Sequence, residues 1–307
     1  MRSFLLLLAL FSGSAQATDV GISDLPCPVG EGSVRVYTKL SSNRLGGWDS
    51  DLATYSVGGQ WRTYAISTCQ NNLFSFPSDT GPSPRIKEDA YVAKLNSVLE
   101  KARNEIGETP EIWQRYEIAI RIIALEKESD PLRIARLYLN AAWTARDRAV
   151  DVYKGLEGPI MASRLLEQGQ EELQKPNLEK SVQKILHHNL ARIAHRGGFF
   201  QKRDQHLAAF EALGSLSEKE KSVLKTFRRM VNEIEPGLLK KAAAQLDEYL
   251  SSATDSKTRA WAHYTRADIA RRNGDRVNAR KHYQSVLKSK NPDEKLLELA
   301  KWFLENS

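Results

Sequence analysis

The spacing of apolar and polar positions changes period once along this chain. Over residues 33–40 (SVRVYTKL) and 61–68 (WRTYAIST), β-branched and aromatic residues alternate with polar ones, the two-residue period of a half-buried strand. Gly46-Gly47 and Gly58-Gly59 punctuate the stretch between them as turns. Residues 76–84 (FPSDTGPSP) suit neither helix nor strand and read as a linker. Beyond Arg85, apolar residues recur every three or four positions. Ile118, Ile122 and Leu125 do so, as do Ile134, Leu137, Tyr138 and Ala141, which is the spacing of a helix face. Asp130-Pro131, Gly158-Pro159, Lys175-Pro176, Glu235-Pro236 and Asn291-Pro292 cut this pattern into helix-length pieces. The chain therefore reads as mainly α, with a small β-rich module and linker over residues 18–85 and helices over 86–307.

Residues 1–17 stand apart. A basic start at Arg2, an apolar run over 4–11 and Ala15-Gln16-Ala17 have the form of a cleavable signal peptide, cut after Ala17. The apolar run is far shorter than the roughly 20 residues of a membrane span. The expectation is a periplasmic or secreted protein with no integral membrane segment in the mature chain.

That compartment changes the meaning of Cys27 and Cys69, the chain's two cysteines. Each opens half of a knuckle, LPCPVGEG and STCQNN, in which Gly30 and Asn72 stand where a second thiol would complete a metal site. Two thiolates are half of a four-ligand zinc set, and no histidine precedes Cys69 to complete it. In an oxidising space the pair is expected to form a disulfide, closing a loop worth about 4 kcal/mol in chain entropy; free thiols or a metal are the alternatives. Between the cysteines, Asp49-Ser50-Asp51 offers carboxylates to a hard cation, but the simpler reading is a solvated turn capped by its own Asp side chains.

Within the helical part, residues 190–199 (LARIAHRGGF) superpose on 266–275 (RADIARRNGD) at an offset of 76 positions. Ala191, Ile193, Ala194, Arg196 and Gly198 then fall on Ala267, Ile269, Ala270, Arg272 and Gly274. With Ala279 and Tyr283, residues 257–292 resemble a tetratricopeptide repeat (TPR); 178–213 resemble it more weakly, and 216–250 are expected to be a helix pair without the signature. The resemblance implies helical hairpins stacked as a solenoid, because a lone repeat cannot bury its apolar face. Residues 294–304 would cap it.

Two further segments, DSDLATYSVGGQWRTYAISTCQNN and DPLRIARLYLNAAWTARD, resemble the bacterial family catalogued as domain of unknown function 2225. The residues that carry this are Cys27, Asp49, Asp51, Cys69, Ile134-Ala135, Ala142-Trp143 and Arg146. The resemblance implies a zinc-ribbon-like module ahead of helices, here lacking the cysteines at positions 30 and 72. It implies no reaction.

No constellation points to an enzyme or a cofactor. His187, His188, His195 and His206 could suggest a metal cluster, but no acid sits at ligand spacing, so no metal site is assigned. Glu167 and Glu171-Glu172 read as a solvated face, and neither a nucleophile elbow nor a phosphate loop occurs. Charge is more informative. Residues 18–86 hold five basic and six acidic side chains, so the excess of a chain at +7 resides in the helices. In TPRs the first helix of each repeat lines a concave groove. Carried onto this sequence, those positions are His188, Arg192, His195 and Arg196 in one repeat and Tyr264, Asp268, Arg271 and Arg272 in the other. Guanidinium groups suit carboxylates. The expected function is a non-enzymatic scaffold whose groove binds an anionic peptide or protein segment. The alternative is binding of an anionic envelope polymer, peptidoglycan or lipopolysaccharide. Export argues against nucleic acid despite a pI near 9.3.

Overall fold

The computed structural model describes residues 18–126, 130–150 and 155–306; the leader expected over 1–17 lies outside them. The N-terminal part is built on two similar turns. Strands β1 (Asp19–Pro26) and β2 (Ser33–Ser41) pair antiparallel around the first cysteine turn, where Cys27 N–H donates to Gly32 O at 2.9 Å. Strands β5 (Ile66–Thr68) and β6 (Ser75–Pro77) flank the second, where Cys69 N–H donates to Phe74 O at 2.9 Å. The Cys27–Cys69 disulfide joins the two turns, with Cα atoms 5.7 Å apart. Asn72, where the sequence reading places the absent second thiol of a knuckle, donates its side-chain amide to Val29 O and accepts from Phe74 N–H.

Two strand readings change in detail. Residues 61–63 form a 3-10 turn, so the strand there shortens to β5. Phe76 and Pro77, expected to open the linker, belong to the strand Ser75–Pro77, because Phe76 buries its ring beside Phe74 in the disulfide cluster. The hairpin strand β1, with few apolar residues facing inward, gave no clear alternation. A further small sheet places β3 (Gly47–Trp48) between β4 (Thr54–Tyr55) and β7 (Leu156–Glu157). Gly47 has φ +79°, and a Cβ there would lie 1.8 Å from Leu156 O, so this close crossing requires glycine.

The rest is helical: α1 (Asp89–Ile106), α2 (Ile112–Ile123), α3 (Pro131–Asp147), α4 (Gly158–Leu173), α5 (Lys180–Gly197), α6 (Phe200–Ala212), α7 (Glu218–Arg228), α8 (Glu235–Ser252), α9 (Ser256–Arg272), α10 (Arg276–Leu287) and α11 (Glu294–Asn306). Pro131 sits at the first turn of α3, with Asp130 accepting from Leu132 N–H at 2.9 Å, a start signal that was legible in the sequence. Helices α4–α5–α6 pack in chain order, as do α8–α9–α10–α11, whereas α3 lies along α8. Tyr116, Leu139, Phe227, Leu246 and Ile269 share one buried cluster; the disulfide packs with Tyr91, Leu95 and Leu99 of α1 in another.

Glu235-Pro236 does not break the chain. Residues Arg229–Ile234 form a π-helical turn that carries α7 into α8, so 218–252 is one continuous irregular helix and not a hairpin. Proline lacks an N–H, and a wider turn ahead of it removes the need for one.

Candidate functional site

Asp49, Ser50 and Asp51 are not a solvated turn. They are 0%, 0% and 3% exposed, and the helices close around them. Leu52, at φ +69°, reverses the chain after them, and Asp49 N–H reaches Ala53 O at 2.9 Å. The loop thus projects from the β3–β4 sheet as a short acidic finger.

Arginines from three helices hold it. Arg196, at the end of α5, donates from Nε to Asp49 Oδ1 at 2.5 Å and from Nη2 to Gly46 O at 3.1 Å, and its guanidinium lies 4.0 Å over the Tyr55 ring. Its own carbonyl accepts Ser50 N–H at 3.0 Å. Tyr55 donates its hydroxyl to the other Asp49 oxygen at 2.7 Å. At the end of α9, Arg271 and Arg272 both donate to Ser50 Oγ, at 3.2 and 3.1 Å, and Arg272 Nη2 stands 3.4 Å from Asp51. Tyr264 donates to Ser50 O at 2.6 Å. Arg196 and Arg272 are the equivalent residues of the 76-residue offset, so each hairpin supplies the same arginine to one carboxylate of the loop.

The third contributor is α3. Trp143 donates its indole N–H to Asp51 Oδ2 at 2.9 Å. Arg146, fully buried, places Nη2 2.9 Å from the same oxygen and Nη1 3.4 Å from both Asp49 and Glu235. The guanidinium is held chiefly by the charge of these three carboxylates. Glu235, aimed inward by the π turn, also takes Arg272 at 3.2 Å, while Asp268 accepts from Arg271 and Arg272. Four carboxylates (Asp49, Asp51, Glu235, Asp268) therefore face four guanidinium groups (Arg146, Arg196, Arg271, Arg272) in a closed interior.

Electrostatics agree with the geometry. Burial pushes the Asp51 carboxyl up, but Arg146 and Arg272 outweigh it and hold the group well below the carboxylate range. Burial likewise raises Glu235, and Arg146, His195 and Arg272 reverse that to a net lowering. His195 is lowered by burial against the opposing pull of Glu235, which keeps it neutral. Arg203 can only donate to His195 Nδ1, at 3.3 Å, so Nε2 carries the proton and donates to Glu235 at 3.0 Å.

The groove residues named from the sequence thus divide. Arg196, Tyr264, Arg271 and Arg272 converge on the chain's own acidic loop, with Asp268 pairing the last two arginines and His195 holding Glu235 behind them. His188 and Arg192 do not; they face an open cleft of about 780 Å³ between α5 and α7. Along α5, Lys180, Lys184, His188 and Arg192 form a stripe at four-residue spacing. Lys219 and Glu220 stand opposite on α7, and Ile185, Phe210, Leu213 and Val223 supply apolar lining. Ile185 is 61% exposed. Lys184 reaches Glu220 at 3.2 Å and Ser215 O at 3.1 Å, bridging the floor of the cleft. Sequence reasoning missed Glu235, read as a helix boundary, and did not anticipate the burial of Asp49 and Asp51. The placing of those two acids between Trp48 and Leu52 was the available signal.

Fold and site together define a mainly helical protein with a disulfide-closed β-rich module whose acidic finger is clasped by paired arginines. Compared with protein-family models, curated proteins and solved structures, the chain shows no significant match to any of them. Among the described residues, no helix is long and apolar enough to cross a membrane.

Proposed function

We propose that this is an exported, non-enzymatic interaction protein, a TPR-like scaffold whose α5–α7 cleft holds an anionic peptide or protein segment. The observation that carries this reading is the α5 stripe of Lys180, Lys184, His188 and Arg192, set beside Lys219 over an apolar lining in which Glu220 is the one acid. A basic rim over apolar pockets suits a segment with carboxylates and one or two apolar anchors, since charge orients it and burial holds it. The acidic finger bound by Arg196 and Arg272 is an internal precedent for the ligand chemistry of these hairpins. Buried Ala267, Ala279 and Tyr283 in the α9–α10 hairpin support the TPR-like reading. The leader pattern and the disulfide support export.

The test is capture from an envelope extract by the mature protein and by its Lys180→Glu/Lys219→Glu variant, both positions being exposed. The proposal expects a defined protein to be enriched by the wild type and lost at least about tenfold in the variant. Equal capture by both overturns it. Sedimentation with sacculi, without a protein partner, would transfer the cleft to the peptidoglycan or lipopolysaccharide reading.

A further inference from the structure

Two histidine pairs occupy matching places in the two hairpins. His187 of α5 meets His206 of α6, and His263 of α9 meets His282 of α10; both pairs lie at the 76-residue offset that relates Arg196 to Arg272. In each, the Nδ1 atoms are 3.0 Å apart and the ring centroids 5.3 Å apart. The difference, 2.3 Å, is what two ring radii account for, so the nitrogens meet head-on along the line of centres. That is the geometry of one N–H donating to one bare nitrogen. It leaves no room for a metal between the two lone pairs. One such contact could be incidental packing, but the same contact at equivalent positions of both hairpins is a repeated feature.

A head-on pair tolerates one proton between its facing nitrogens. A second converts the acceptor into a donor, and two N–H groups then oppose each other with like charge. We propose that the two pairs are matched acid-sensitive clasps, holding the α5–α6 and α9–α10 hairpins closed near neutral pH and releasing them when each pair takes up a second proton. The surroundings differ. Around the first pair stand Lys202 of α6 and, across a shared cleft, Glu167 and Glu171 of α4, which can receive a released imidazolium. Around the second stand Arg259 and Arg266 of α9, Lys281 of α10 and Asp247 of α8, the last paired with Arg266 at 2.8 Å. Burial, then the partner ring, then nearby cations push His206 and His282 down to about 4. An unfolded chain binds these protons from about pH 6.5 downward. The folded state refuses them until about pH 4, so it loses stability as pH falls through that window and no further below it.

Two measurements on the mature chain decide this. Nitrogen-15 NMR of the histidine rings should show coupling between the facing Nδ1 atoms of both pairs at pH 7, vanishing below about pH 4. Urea unfolding should show the unfolding constant rising between pH 7 and 5 at least about tenfold more in the wild type than in His206→Gln/His282→Gln, whose residues take up no proton. Absence of the coupling at pH 7, or protonation of all four rings near pH 6.5, overturns the proposal. So does an unaltered pH response in the double variant, and the wild-type spectra decide the matter if that variant does not fold.

Discussion

At the scale of single residues, the interior is governed by what a guanidinium does when it cannot reach water. Arg146 and Arg196 are 0% exposed, and each is tolerable only because carboxylates stand against it. Such networks add little net stability when complete, but removing one partner leaves a buried charge and costs about 3–5 kcal/mol. Asp49→Asn should therefore lower the urea-unfolding free energy by about that amount despite its identical shape, whereas Asp24→Asn, in an exposed pair with Arg35, should change it by under about 1 kcal/mol. Asp51 adds a pH dependence of known sign. Its carboxyl is held below the ordinary range, so the stability it contributes is present at neutral pH and is lost as pH falls below about 4. An acid-unfolding midpoint that does not move in Asp51→Asn would contradict this. The arginines and the acids Asp49, Asp51 and Asp268 are conspicuous in the sequence, but their pairing with one another in the interior is not. Residue type announces a charge, while burial depends on contacts between positions 49 and 272 that no local pattern records.

At the scale of elements, the proline start of α3 and the repeat of the two hairpins were legible because they are local or periodic. The start of the linker and the helix pair over 216–250 depart from the sequence reading where tertiary contacts override local signals. Phe76 makes a strand of a proline-rich segment by burying its ring, and the π turn absorbs Pro236 without ending the helix. The β-rich module depends on its crosslink. Its cysteines are 42 positions apart and pack on Leu95 and Leu99 of α1, so the bond joins the two turns alongside the Asn72–Val29 hydrogen bond and the Val34–Cys69 bridge. Cys27→Ser/Cys69→Ser should cost about 2–4 kcal/mol in thermal or urea unfolding. Thiol labelling of the unfolded, unreduced wild type should find none; two labelled thiols per chain would contradict the crosslink.

At the scale of the whole molecule, the acidic finger ties the N-terminal module to α3, α5 and α9. The sequence suggests helices that fold from about residue 87 onward without the module. The buried loop changes that expectation, because the helices alone would keep Arg146, Arg196, Arg271 and Arg272 with only Glu235 and Asp268 to face them. A chain of residues 87–306 should therefore melt at a markedly lower temperature than a chain of residues 18–306. The central claim is that Asp49 is an internal ligand of the repeated arginine, and a double-mutant cycle on Asp49→Asn and Arg196→Met measures it most directly. If the two side chains form one buried pair, each single change should cost about 3–5 kcal/mol, and the double variant should cost less than the sum by at least about 2 kcal/mol. Additive losses, within about 0.5 kcal/mol, would show that the loop and the helices are energetically separate and would contradict the account.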